Sequence, residues 1–214
     1  MVRQYAVVMR AIAFDAMGVL YETADDLRQL LVPFVRARGC SLTDEEIHRA
    51  YRRAMLGALT TSELWHVLGV GGDANDLNRA YVTGYRLLPG VSRLLEDLRD
   101  RDCELGCISN DVGEWSRAWR AALGLDRQIG HWTVSSEVRA RKPDAAIYQA
   151  FLASCGRRAG DVVFVDDRPA NIQAASALGF PTVLVDLSAT AERANGTAGS
   201  IEELRATLIA MVDD

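Results

Sequence analysis

The sequence predicts an α/β fold: a parallel sheet flanked by helices, with a small helical cap inserted after the first strand. Three observations carry this expectation. Short apolar runs that stop at polar or acidic residues recur along the chain, helix-length amphipathic segments separate them, and the interval 24–88 shows helical patterns only.

The first run, Ala11-Ile12-Ala13-Phe14, ends at Asp15 just before Gly18 and reads as a buried strand that delivers a carboxylate to its carboxyl end. Further strands are expected at Glu104–Ser109, His131–Ser135, Asp161–Val165 and Pro181–Val185. Strands spaced by helices in this way imply right-handed crossovers and helices on both faces, a Rossmann-like sandwich. Helical patterns cover Asp25–Arg38, Asp44–Leu59, Ser62–Leu68 and Ala74–Leu87, punctuated by Gly39, Gly57 and the glycines of 69–72, and Thr43 with Glu46 has capping-box spacing. These assign 23–88 to a helical cap and 1–22 with 89–214 to the core. Pro89-Gly90 marks the return to the sheet, followed by a helix over Val91–Asp102. The stretch Ser188–Ser200, rich in small residues, reads as a surface loop before a closing helix at Ile201–Val212.

With 214 residues, 49% of them apolar, the chain can bury a core for one domain plus a small insertion. A net charge of −5 and the lack of a long Lys/Arg run argue against nucleic acid or an anionic membrane as the main partner, which leaves a small molecule. Arg3 and Arg10 interrupt the apolar stretches of Met1–Phe14 and Asp15 follows, so neither a signal-peptide core nor a membrane span fits, and a cytoplasmic location is expected. Cys40, Cys103, Cys107 and Cys155 lack paired short spacing and His48, His66 and His131 form no ligand cluster; the cysteines read as structural thiols and zinc is not implied. Cys103 and Cys107 are expected to share a face on or beside one strand.

Asp15 is a candidate nucleophile, and its neighbour two residues on is unusual. Where a second acid could protonate a leaving group stands Met17, which has no proton to give. Three other segments fall at or just past predicted strand ends and could converge on Asp15. Cys107-Ile108-Ser109-Asn110-Asp111 offers a hydroxyl and an amide before a helix whose amino end favours an anion; a plain Ser/Asn helix cap is the alternative. Arg139-Ala140-Arg141-Lys142-Pro143-Asp144 contains the only lysine of the chain among 24 basic residues, pointing to a position that needs a compact ammonium; the alternative is a chance survivor on a solvated face. Pro143 is expected to open the following helix. In Val162-Val163-Phe164-Val165-Asp166-Asp167-Arg168, two adjacent acids end an apolar strand and call for a cation such as Mg2+; an Asp helix cap beside a surface acid is the alternative.

In order and over nearly the whole chain, the four segments resemble the haloacid dehalogenase superfamily. Asp15 resembles its nucleophile, Ser109 its second-motif hydroxyl, Lys142 its third-motif lysine and Asp166-Asp167 its acidic fourth motif, while 23–88 looks like its first cap type. The resemblance implies in-line attack by Asp15 on a small phosphorylated substrate, with an aspartyl phosphate as intermediate. It also implies Mg2+ held by Asp15, Asp166, Asp167 and the Met17 backbone carbonyl, with Ser109, Asn110 and Lys142 binding the phosphoryl oxygens. Methionine at 17 spares metal binding but removes proton transfer. Three readings follow: a phosphatase whose acid comes from the substrate, water or the cap; a 2-haloacid dehalogenase, for which Asp-Ala-x-Gly speaks and the acid pair does not; and a non-catalytic member that binds a phosphometabolite or a protein partner. The acid pair favours the phosphatase.

Elsewhere the sequence says less. Trp65, His66, Arg52 and Arg53 could reach a substrate from the cap, although core and solvated faces explain such residues as well. Trp115 and Trp119 are expected to pack on the sheet, and Arg168 and Asn171 either orient the acid loop or simply begin a helix.

Overall fold

The computed structural model describes residues 11–187 and 197–213. Six parallel strands form one sheet in the order β3-β2-β1-β4-β5-β6: β1 (Ala11–Phe14), β2 (Glu104–Ser109), β3 (His131–Val134), β4 (Val162–Asp166), β5 (Thr182–Val185) and β6 (Thr197–Ala198). The chain steps outward from β1 through β2 to β3, then crosses back so that β4 lies on the other side of β1. That reversal makes the carboxyl ends of β1 and β4 a topological switch point, the crevice where open α/β sheets bind ligands.

Strand periodicity divides the core into two layers. Ile12, Phe14, Val163 and Val165 face one layer, and Ala11, Ala13, Val162 and Phe164 face the other, so the runs are apolar throughout because both sheet faces are covered. Helix α5 (Val91–Arg99) buries Val91, Leu94, Leu95 and Leu98, and α10 (Ile201–Asp213) buries Ile201, Leu204, Leu208 and Val212; both stripes have helical spacing, and both lie in the first layer. On the opposite face α8 (Ala145–Cys155) brings Phe151 against β2. Only glycine at 106 admits it, since a Cβ there would lie 2.4 Å from the ring.

The interval after β1 is helical. A π-wound turn at Leu27–Leu31 runs into α1 (Val32–Arg36), followed by α2 (Asp44–Met55), α3 (Thr61–Val67) and α4 (Ala74–Val82). The Thr43–Glu46 capping box of α2 is present, and Thr60 with Glu63 forms a second at α3. The chain leaves and re-enters the core side by side: Glu22 N–H donates to the Arg86 carbonyl and Leu88 N–H to that of Leu20.

This helical layer is stapled to α6 (Gly113–Ala122) in the core. Asn78 Oδ1 accepts the indole N–H of Trp65 at 2.9 Å and of Trp115 at 2.7 Å, Asn78 Nδ2 donates to Thr61 Oγ1, and Thr61 in turn donates to Glu114. Replacing Asn78 by Ala would strand two indole donors away from water. At about 1–3 kcal/mol for each such group, chemical denaturation should show a loss of about 2–6 kcal/mol; a loss under about 0.5 kcal/mol would contradict the staple.

Several expectations need correction. Thr197–Ala198, placed in a surface loop by the sequence reading, pairs with β5 as the edge strand β6; residues 188–196 of that stretch lie outside the described residues. Pro143 does not open a helix, because α8 starts at Ala145 with Asp144 as its N-cap. Trp115 packs mainly into the aromatic cluster of the helical layer with Tyr51, Trp65 and Tyr81, whereas Trp119 does reach the sheet at Trp132. Ser135, read as the end of a strand, begins the short helix α7 (Ser135–Val138). No disulfide joins the four cysteines, and Cys103 and Cys107 are both buried.

Candidate active site

Asp15 follows β1 and its N–H donates to the Val165 carbonyl at 2.8 Å, which sets it level with the end of β4. Asp166 closes β4, Ser109 closes β2, and Lys142 arrives from the loop before α8. All four are buried. Lys142 Nζ lies 2.7 Å from Asp15 Oδ1 and 2.8 Å from Asp166 Oδ2, bridging the two strands that flank the switch point. A lysine 2% exposed between two carboxylates is no survivor on a solvated face.

The other local alternatives also fail. The residue capping α6 is Val112, without a side-chain bond, so Ser109 and Asn110 are not helix caps. Asn110 clamps the lysine loop: its Oδ1 accepts the Lys142 N–H at 2.8 Å and its Nδ2 donates to the Lys142 carbonyl at 3.0 Å. Helix α9 (Pro169–Ala177) is capped by Arg168, again without a side-chain bond, so neither acid of the pair caps it. Asp166 instead accepts the Arg168 N–H at 2.8 Å and the Asn171 amide at 3.0 Å to each oxygen, which fixes its orientation. Arg168 in turn donates to the Ala24 carbonyl, tying the acid loop to the entry into the helical layer.

Charge is unbalanced here. One ligand oxygen from each of Asp15, Asp166 and Asp167 falls within 4.8 Å of the others, with Lys142 as the buried cation between two of them. Burial above all, with repulsion from Asp166 and Asp167, outweighs Lys142 and lifts the Asp15 carboxyl to about 7. Burial and then Asp166 lift Asp167 to about 6. Burial works against the Lys142 charge, but the two carboxylates prevail and raise it above its ordinary value.

Two buried polar atoms at this point have no hydrogen-bond partner, Ser109 Oγ and Asp167 Oδ1, and no described group donates to the Met17 carbonyl. Orphaned atoms of this kind are costly unless something else satisfies them. Gly18 completes the cradle: its φ is +75°, and a Cβ there would sit 2.5 Å from Asp167 Oδ2, so only glycine lets the loop after β1 approach the acid pair. An all-oxygen donor set with uncompensated negative charge fits a hard divalent cation such as Mg2+.

Above the cluster lies a pocket of about 50 Å3 lined by Asp15, Met17, Asn110 and Lys142, together with Asp26, Arg141, Arg168 and Asn171. A second cavity of about 700 Å3 beneath α2 shares Asp26, Arg141 and Arg168 with it and adds His48, Tyr51 and Met55. Arg141 Nε is buried without a partner. Asp26, Tyr51 and Arg141 were not singled out by the sequence reading. Asp25-Asp26 looks like any helix start, Tyr51 falls on the buried stripe of an amphipathic helix, and Arg141 is one of 23 arginines. Of the cap residues that were named, Trp65 is core, His66 and Arg53 are exposed and line shallow depressions away from the cluster, and Arg52 is exposed with its charge near Arg141.

An open parallel sheet with this cluster at its switch point, covered by a helical layer, defines a capped α/β hydrolase. The chain belongs to the haloacid dehalogenase-like hydrolases, whose family model matches residues 9–179. It is similar to a ribulose-1,5-bisphosphate 5-phosphatase of Halopiger xanaduensis, with 32% identity over 122 residues, which is 55% of this chain and 51% of that protein. The chain thus spans about half the length of that curated relative. Among solved structures, a HAD family enzyme of Bacteroides thetaiotaomicron in complex with magnesium and inorganic phosphate matches with a TM-score of 0.71 and 18% identity, covering 83% of this chain and 94% of that one. An L-2-haloacid dehalogenase of Xanthobacter autotrophicus matches with a TM-score of 0.67 and 19% identity, covering 95% and 99%. At these identities the structural matches speak for the fold alone. No helix among the described residues is long and apolar enough to cross a membrane.

Proposed function

We propose that this protein is a Mg2+-dependent phosphatase that cleaves a small phosphorylated metabolite through an aspartyl phosphate on Asp15, with 23–88 as its cap and 1–22 with 89–214 as its catalytic core. The observation that supports it most is the pair of orphaned buried atoms, Asp167 Oδ1 and Ser109 Oγ: one suits a cation and the other a phosphoryl oxygen, on either side of a lysine-held aspartate. A phosphatase among the relatives points the same way.

In this reading Asp15 attacks phosphorus in line while the Lys142 ammonium offsets charge on the phosphoryl group and favours the ionised form of Asp15 against its burial. Ser109 Oγ donates to a second phosphoryl oxygen, and Asn110 keeps the lysine loop in place through its two bonds to the Lys142 backbone. Asp15, Asp166, Asp167 and the Met17 carbonyl would hold Mg2+, which supplies Lewis-acid neutralisation of phosphoryl charge. A 2-haloacid dehalogenase reading has Met17 in its favour, but it leaves three clustered carboxylates with only Lys142 and a more distant Arg168, among the described residues, to offset them.

Parallel assays separate the two. Phosphate release from p-nitrophenyl phosphate with Mg2+, lost on chelation, is the expected result; halide release from 2-chloropropionate unaffected by chelator would overturn the proposal. The acid pair also has a pH signature. Because the Asp15 and Asp167 carboxyls sit at about 7 and 6 in the metal-free fold, above their unfolded values, stability falls as pH rises through that window. Mg2+ requires both groups ionised, so binding should release protons and raise the melting temperature more at pH 8 than at pH 5.5. Thermal scans at the two pH values check this; an equal or smaller rise at pH 8 would contradict it.

A further inference from the structure

Proton transfer has no owner in the cluster around Asp15, because Met17 carries no acid and Lys142 is committed to two carboxylates. The path of a leaving group narrows the search. A phosphoryl group on Asp15 occupies the small pocket, and the rest of the substrate must extend into the larger cavity beneath α2, so the ester oxygen lies where the two meet. The residues common to both cavities are Asp26, Arg141 and Arg168. Two of these are guanidinium groups that stay charged; only Asp26 carries a group that can give and take a proton.

We propose that Asp26, from the first turn of the cap, is the general acid and base of the phosphatase reaction, replacing the acid missing at position 17. This deepens the proposed function and rests on it. Asp26 Oδ1 accepts the Leu27 N–H at 2.9 Å, which is the ordinary duty of a helix-start aspartate. Its Oδ2, however, takes the Tyr51 hydroxyl from α2, twenty-five positions along the chain, a contact that capping does not require. The charged groups facing it are Asp25, Arg168 and the buried Asp111; burial raises its carboxyl above the usual carboxylate range, with Asp25 adding to it and the Tyr51 and Leu27 hydrogen bonds and Arg168 opposing it. That direction suits a group that must carry a proton to a departing oxygen.

In the first step an Asp15 oxygen bonds to phosphorus as the phosphorus–ester oxygen bond breaks. The Asp26 carboxyl gives its proton to the departing oxygen, producing an alcohol, an aspartyl phosphate and an Asp26 carboxylate. In the second step water bonds to phosphorus, its proton passes to Asp26, and the phosphorus–Asp15 bond breaks, releasing inorganic phosphate and restoring both aspartates to their starting forms. The Tyr51 hydroxyl stabilises the Asp26 carboxylate between the two steps.

The test is the leaving-group dependence of kcat/KM, which reports steps up to aspartyl phosphate formation and is blind to its later hydrolysis. Phosphate release is measured for p-nitrophenyl phosphate, whose phenolate departs unaided, and for simple alkyl phosphates. In Asp26→Asn, kcat/KM for alkyl phosphates should fall about 10²- to 10⁴-fold while that for p-nitrophenyl phosphate changes by less than about threefold. Adding Met17→Asp to this variant should recover part of the alkyl phosphate activity. Equal losses for both substrate types, or no loss for either, would overturn the assignment. If Asp26→Asn folds poorly by thermal scan, Asp26→Ser, whose hydroxyl also accepts the Leu27 N–H, takes its place with the same expected split. Wild-type protein that releases no phosphate from any substrate would instead defeat the phosphatase reading itself, so the two failures are distinct.

Discussion

Asp15→Asn is expected to abolish phosphate release, lowering kcat by about 10⁵-fold or more, as loss of a covalent nucleophile does elsewhere. The amide keeps the shape of the side chain but cannot form an acyl phosphate and is a weaker ligand for a hard cation. The same variant should not unfold the protein. Asp15 is 5% exposed and burial already opposes its ionisation, so neutralising it removes a penalty while Asp166 continues to hold Lys142. Metal-free Asp15→Asn should therefore melt at or above the wild-type temperature at pH 8. Turnover near the wild-type rate would remove the covalent mechanism, and a large drop in melting temperature would show that Asp15 is structural.

Lys142→Met is expected to do the opposite and damage both stability and activity. The ammonium is the buried cation that bridges Asp15 and Asp166 across β1 and β4, with Phe164 beneath it. Removing one partner of a buried ion pair costs about 3–5 kcal/mol, because the charges left behind have neither water nor a counter-ion. Protonation of Asp15, whose carboxyl burial already lifts to about 7, relieves part of that cost, so the cost should be larger at pH 8 than at pH 5.5. Denaturant midpoints at the two pH values measure it. Mg2+ should recover part of the stability without recovering the rate, since a phosphoryl-binding group is gone. A variant as stable as wild type at pH 8 would contradict the electrostatic account.

The candidate site was most legible where local pattern and tertiary position coincide. An apolar run that terminates in a carboxylate is buried on both faces and exposes only its carboxyl end, so Asp15 and Asp166 could be read from their strands, and Ser109 from the strand beside them. Lys142 stood out because a chain that otherwise uses arginine kept one lysine. What could not be read depends on residues far apart in sequence. The Tyr51–Asp26 contact joins two helical segments, and the Asn78 staple needs α3, α4 and α6 packed together before its bonds exist. Trp115 packs mainly against the helical layer for the same reason: helical spacing reveals that a stripe is buried, not which neighbour buries it. The two-residue β6 carries too little pattern to distinguish it from loop, and the sheet edge beside β5 decides it.

The central claim, attack by Asp15 on phosphorus, is tested most directly by quenching the wild-type protein in acid during turnover of p-nitrophenyl phosphate with Mg2+ and mapping the added mass by peptide mass spectrometry. One phosphoryl group is expected on the peptide that contains Asp15, absent when Mg2+ is chelated and absent from Asp15→Asn. Phosphate release that proceeds with no phosphoryl group on Asp15, or with the label on another residue, would contradict it.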